Sequence, residues 1–355
     1  MSALRVTAER LTILDHPDAD ALELAQVGLY RAVVAKGAYR TGEFAVYIPE
    51  QSVLPDALIG ELGLTGRLAG SRRNRVRAVR LRGELSQGIV CRPGALDGVD
   101  LERAAADDTD FADLLEIVKW VPPVPVSMSG DVDAAPDLLP WIDIENLKRY
   151  PDVFAPGDLV TVTEKLHGTA CCLTYHASSG RVQVTSKGLG ARQLALREAD
   201  GNLYWRAVRG HGLPAVAAAL ADRLGADRIG IFGEVYGKGV QDLGYGTDAG
   251  AGLPGFAAFD VCADLGGRLR WYDPADLLDG ELPLVPRLFH GPFDLATVLA
   301  LAAGTETVSG RDLHIREGVV VRTADGKYSP RIGGRAVAKV VGDAYLTRKG
   351  GTEYE

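Results

Sequence analysis

Apolar and polar positions along this chain alternate mostly with a period of two, in short runs. Leu22–Val27, Tyr30–Ala35 and residues 43–49 read as strands, broken by turns at Lys36 and Gly37 and at Thr41 and Gly42. Residues 75–81 alternate arginine with Val and Ala and predict another strand. Short strands at this spacing predict a small β-barrel. Residues 111–118 predict a short helix, and 121–140, with five prolines among Ser, Gly and Asp, predict an extended linker. Beyond it, 158–163 and 181–185 are strand-like, and 193–224 is mostly helical by composition. Residues 229–235, 255–262 and Arg268–Tyr272 return to strand, 295–303 is helical, and 318–322 and 336–341 are the last strands. Without a regular βαβ alternation the class is α+β. The expected organisation is a β-rich domain at 1–120, a linker at 121–140 and a second domain at 141–355.

The stretch 160–170, VTVTEKLHGTA, concentrates the chemistry. Val160 and Val162 alternate with Thr161 and Thr163, so a continuous strand turns Thr161, Thr163, Lys165 and His167 to one side. A lysine at a rigid strand end suits attack on a phosphate. His167 follows two residues on, and Gly168 then lets the backbone approach a ligand. Lysine is a nucleophile only as the free amine, which desolvation or nearby positive charge favours. An ordinary exposed lysine is the commoner explanation of a bare KxHG string, so partners elsewhere must decide.

Four later segments supply such partners. Residues 231–237, IFGEVYG, set Glu234 in an apolar strand, where a carboxylate is costly unless it meets a cation or a donor. Residues 255–261, GFAAFDV, bring two aromatics onto a buried strand; a purine could stack on one, although core packing explains both as well. Glu317 stands at the mouth of the apolar run 316–322, REGVVVR, and Lys339 lies inside 336–341, AVAKVV. A phosphate would offset the cost of burying that ammonium. Mg²⁺ takes oxygen ligands and keeps its waters, so Glu234 and Glu317 could hold it largely through water.

At 355 residues the chain has room for two or three domains. A formal charge of −8 argues against a wholly basic nucleic-acid binder. It leaves room for a local basic surface, and Arg67, Arg72, Arg73, Arg75, Arg77, Arg80 and Arg82 crowd one span. Arg73, Arg75 and Arg77 would share a strand face as a track for a phosphate backbone; a solvated charged face is the alternative. Cys91, Cys171, Cys172 and Cys262 show no metal spacing and read as buried free thiols. No apolar run reaches the ~20 residues of a membrane helix. The charged N-terminus has no signal-peptide core, so the expected location is cytoplasmic.

In order, EKLHG, SKG at 186–188, FGEVYG, GFAAFDV, REGVVVR and AVAKVV resemble the nucleotidyltransferase motifs of ATP-dependent polynucleotide ligases. Histidine in KxHG resembles an RNA ligase. The segment YRAVVAKGAYRTGEFAVYIPEQSVLP is similar to the N-terminal OB domain of RNA ligases of the Deinococcus and Naegleria type. The resemblance implies an OB-like β-barrel, which would clamp the nucleic acid, followed by an adenylyltransferase domain. It implies that Lys165 attacks the α-phosphorus of ATP, that AMP passes to the 5′-phosphate of an RNA strand, and that a 3′-hydroxyl displaces AMP to close a nick. Glu234 and Glu317 would position Mg²⁺ or Mn²⁺. Phe256 would stack on adenine, with Glu164 beside the base, and His167 and Gly168 would complete the nucleotide site. Lys187 would reach the ribose or phosphate side, and Lys339 would neutralise the α-phosphate.

The family's last motif often carries KxK. Val337 takes the earlier position here, so either Lys339 acts alone or Arg335 replaces the missing lysine. The expected partner is RNA or an RNA-containing nicked duplex, engaged in part by Arg72, Arg73, Arg75 and Arg77, with no membrane and no obligate protein partner. A DNA ligase or RNA guanylyltransferase shares the lysine–nucleotide step. A non-catalytic nucleic-acid-binding protein would bind without forming an adduct.

Overall fold

Lys165 ends a strand in one β-sheet and Thr169 begins a strand in another, so the chain changes sheets at the residues that carry the KxHG string. In the computed structural model, which describes residues 4–141, 143–250 and 252–349, the chain divides into two units. One comprises residues 124–147 and 152–345; the other comprises 4–123 with 148–151 and 346–349.

The larger unit is built on two sheets. In the five-stranded sheet the order is Glu145–Asn146, Val337–Val341, Gly318–Thr323, Leu159–Lys165 and Arg287–Pro292. Only Glu145–Asn146 pairs parallel to its neighbour. The seven-stranded sheet runs Val132–Ala134, Leu194–Leu196, Arg181–Ser186, Thr169–His176, Arg228–Tyr236, Gly255–Leu265 and Arg268–Tyr272. The strand is buried on both faces, and not on one as the alternation of valine and threonine implied: Val160 and Val162 are fully buried, Thr161 and Thr163 nearly so, and Lys165 pairs opposite Gly318 at the sheet's end. Two helices, Leu203–Gly210 and Leu213–Leu224, pack on the larger sheet. Asn202 caps the first by accepting from the Tyr204 and Trp205 N–H groups, and Gly225, with φ of 62°, ends the second.

Four expected elements differ. Within 193–224, Leu194–Leu196 is a strand, because its neighbours on both sides offer ladder partners that outweigh local helix propensity. The stretch 121–140 is extended at Val132–Ala134 as expected, but there it is paired into the sheet's edge. Residues 112–116 form one turn that Glu116, with φ of 53°, stops before a helix can propagate, and Val118 already belongs to the short strand Val118–Lys119. Of 75–81, only Val79–Leu81 is strand; Arg73 takes a φ of 52° just upstream, and Arg75 makes isolated bridges to Val53 and Ala69.

In the smaller unit, Thr7–Arg10, Phe44–Ile48 and Ile89–Cys91 form one antiparallel sheet, and Thr12–Asp15, Leu22–Val27 and Tyr30–Ala35 form another. The first strand of each is nearly continuous, broken only at Leu11. The Gln87 N–H donates to the Arg31 carbonyl and the Val33 N–H to Ser86 Oγ, which knits the small barrel elsewhere along its wall. All four cysteines are buried and unpaired. Among the described residues no helix is long and apolar enough to cross a membrane.

Candidate active site

A cavity of about 220 Å³ opens beside the end of the Leu159–Lys165 strand. Glu164, Lys165, Lys187, Glu234, Arg335 and Lys339 all line it, although they span most of the larger unit's sequence. Lys165 Nζ lies 2.5 Å from Glu317 Oε1. Burial, the largest influence, pulls the Lys165 pKa down, but the charges of Glu317 and Glu234 outweigh it and hold the pKa above the usual lysine value.

The other two lysines shift the opposite way, down, while Glu234 shifts up. Burial, only partly offset by Lys165, raises Glu234 to about 8. Burial and then the positive charges of Lys165 and Lys187 lower Lys339 to about 8. Lys187 also falls, through burial first and then the positive charge of Lys165, and its Nζ meets Asp143 Oδ1 at 2.5 Å. Glu164 is fully buried, and its Oε2 accepts from the Thr307 N–H and Oγ1 at 2.9 and 2.6 Å. Its Oε1 is buried without a hydrogen-bond partner, as is Glu317 Oε2. Such orphaned oxygens fit a donor or a cation brought by a ligand.

Three residues expected at the ligand lie elsewhere. Phe256 is fully buried under Gly233, whose absent side chain leaves room for the ring, and does not line the cavity. Phe259 does line it, with Asp260. The strand pairing explains the exchange: Phe232 faces Asp260 and Gly233 faces Ala258, so Phe259 is the extra residue of a β-bulge, which re-aims it. His167 is buried behind the turn, bonded to Asp242, Tyr245 and Tyr345. Gly168 makes room for protein and not for ligand, since a Cβ there would lie 2.2 Å from the Val235 carbonyl.

Arg335 lines the cavity with its guanidinium on Asp260, at 2.6 Å, and over the Trp271 ring. Sequence reasoning missed Asp260, Asp143, Thr307 and Arg322. Asp260 adjoins a quoted aromatic and Arg322 closes the quoted run 316–322, so both were within reach; Asp143 and Thr307 carry no motif that marks them.

A family model described as RNA ligase matches residues 158–341. The chain belongs to the RNA ligase family. An OB-fold domain model matches residues 5–93, and this member is an N-terminal OB fold followed by an α+β ligase domain. No curated protein matches the chain. Among solved structures, Naegleria gruberi RNA ligase with PPi is similar at 23% identity and a TM-score of 0.76, covering 97% of this chain and 98% of that one. A variant of the same enzyme with ATP and Mn is similar at 22% identity and a TM-score of 0.77, with the same coverage. At that identity the likeness is one of fold.

The arginine cluster of the OB unit lines a groove of about 1280 Å³. Arg67, Arg73, Arg77 and Arg80 are exposed on it, joined by Arg92 and Lys349. Arg75 is a correction: it is buried, with its guanidinium 4.0 Å from the centre of the Trp120 ring, and presents no common face with Arg73 and Arg77. Arg72 is exposed but does not line the groove.

Proposed function

We propose that this RNA ligase family member uses ATP and a divalent metal to join a 3′-hydroxyl and a 5′-phosphate in a nicked, RNA-containing duplex, through AMP carried on Lys165. The observation that carries the reading is a single cavity in which Lys165 is paired with Glu317 while Lys187, Glu234 and Lys339 share the walls. Lys165 Nζ attacks the α-phosphorus of ATP; a P–N bond forms, the bond to the β-phosphate oxygen breaks, and pyrophosphate leaves. The 5′-phosphate of the RNA then takes the AMP from Lys165, and the 3′-hydroxyl oxygen attacks that phosphate and expels AMP.

Each wall residue has a part that its chemistry suits. The ammonium of Lys165 must lose its proton first, which the positive charges of Lys187 and Lys339 favour and the two carboxylates oppose. Glu234 and Glu317 fit a Mg²⁺ or Mn²⁺ ion because Glu317 keeps a buried oxygen without a partner and two carboxylates leave coordination places for water and phosphate. Bound there, the ion supplies positive charge against the negative charge that builds on the α-phosphate. Phe259 takes the base-stacking role, and Glu164 Oε1 accepts from the base amine. Lys339 meets the α-phosphate, and Arg335, tied to Asp260, stands in for the missing lysine. The exposed groove arginines hold the RNA backbone.

The relative solved with ATP and Mn supports the choice of nucleotide and metal. Intact-mass measurement after incubation with ATP and Mg²⁺ tests the reading. The protein gains one AMP on Lys165, and Lys165→Ala gains none. Labelling by GTP instead points to a guanylyltransferase, and an adduct on another residue refutes the site.

A further inference from the structure

The turn that follows Lys165 is fastened more heavily than a strand crossover requires. The His167 N–H donates to Tyr245 Oη at 2.7 Å, and Gln241 Nε2 donates to the Gly168 carbonyl at 3.2 Å. The His167 ring lies between two side chains: Nε2 is 2.6 Å from Asp242 Oδ1 and Nδ1 is 2.7 Å from Tyr345 Oη. An ionised carboxylate only accepts, so Nε2 carries the hydrogen and the Tyr345 hydroxyl donates to Nδ1. Histidine, with Tyr245 and Tyr345, is almost fully buried. None of these groups lines the cavity.

The fastening joins the two ends of the chemistry. Gln241, Asp242 and Tyr245 belong to the loop that directly follows the Arg228–Tyr236 strand, which carries Glu234. Glu234 itself packs against the turn, its Cγ only 3.0 Å from where a Cβ on Gly168 would lie. On its other side His167 Nδ1 is 3.9 Å from Glu317 Oε2, and Glu317 holds Lys165. The ring therefore locks the nucleophile's turn to the strand end of one carboxylate and rests against the other. A local pair of strands needs no such brace; a lysine that must meet a phosphorus within tenths of an ångström does.

We propose that Asp242 and Tyr345 are positioning residues for the transfer of AMP to Lys165, acting only through the His167 ring. The proposal rests on the reading of Lys165 as the nucleophile. Each residue fixes the ring's orientation, and the ring fixes the turn, so losing either contact misplaces Nζ without removing any group that binds ATP.

The test is a set of near-isosteric variants, Asp242→Asn, Tyr345→Phe and His167→Gln, with each of the first two also combined with His167→Gln. Single-turnover formation of the Lys165–AMP adduct is followed by intact mass over a range of ATP concentrations. Asp242→Asn and Tyr345→Phe each slow the maximal rate about tenfold or more, with the half-saturating ATP concentration held within about twofold. In the His167→Gln background neither adds more than about a further twofold loss, because the group they act through is gone. Multiplicative losses in that background, a change confined to the half-saturating concentration, or wild-type rates overturn the proposal. Should His167→Gln fail to fold, the Asp242→Asn/Tyr345→Phe double variant replaces it, and a loss equal to the product of the singles overturns the proposal. Absence of any adduct in the wild-type protein would instead refute the assignment of Lys165.

Discussion

Lys339 shows how one buried charge reports on a site. Burial and the nearby lysines bring its pKa down to about 8 from an ordinary 10.5. A folded-state value below the unfolded one means that folding releases a proton between those limits, so this group opposes folding below about pH 8 and ceases to do so as pH rises through 10.5. An arriving phosphate reverses the shift by favouring the ammonium. ATP binding near pH 8 should therefore take up protons, seen calorimetrically as a heat that varies with the ionisation enthalpy of the buffer. In Lys339→Met that variation shrinks, and an unchanged buffer dependence would remove Lys339 from the phosphate site. The sequence made this residue legible, since an ammonium in AVAKVV has few cheap explanations. It gave no hint of Asp143 on Lys187 or Thr307 on Glu164, because these pairs join residues far apart in an unmarked chain.

At the scale of single elements the Gly255–Leu265 strand is the most instructive. Its two phenylalanines, three positions apart, belong on opposite faces by alternation, and the bulge at Phe259 settles which one meets the cavity. Phe256→Ala should cost about 3–5 kcal/mol of stability by leaving a void beneath Gly233. Phe259→Ala should instead raise the half-saturating ATP concentration roughly tenfold, the worth of one base–aromatic stack, with a smaller fall in melting temperature. Thermal unfolding and adduct kinetics on the pair decide it, and the opposite assignment of effects would return the base to Phe256. The strands around Lys165, Glu234 and Glu317 were readable because their apolar runs are long and bounded. Residues 194–196 turn out to be strand because short apolar runs fit helix and strand alike, and 111–118 fails to become a helix because Glu116 takes a positive φ that no local pattern marks.

For the molecule as a whole, the OB unit's charge is arranged more selectively than its arginine count implies. Removing Arg73 and Arg77 together should weaken binding to RNA-containing duplexes and reduce the salt dependence of affinity by about two counterions. Arg75→Ala should act differently, lowering the melting temperature by stripping the cover from Trp120 while leaving the salt slope in place. Binding titrations at several salt concentrations distinguish the two, and equal slopes for the double variant and wild type would take the groove out of RNA recognition.

The α+β class, the small N-terminal barrel and the principal charged residues that line the cavity beside Lys165 were determined by the sequence alone. Strand patterning is local, and a charge set in an apolar run stands out wherever it lies. Tertiary structure decided the rest: which phenylalanine faces the cavity, which arginine is buried, and that His167 braces a turn and touches no ligand-facing wall. Those outcomes depend on bulges and on contacts between residues far apart in sequence, 45 positions for Arg75 and Trp120 and 75 or more for the partners of His167, and no local pattern encodes where such partners will meet.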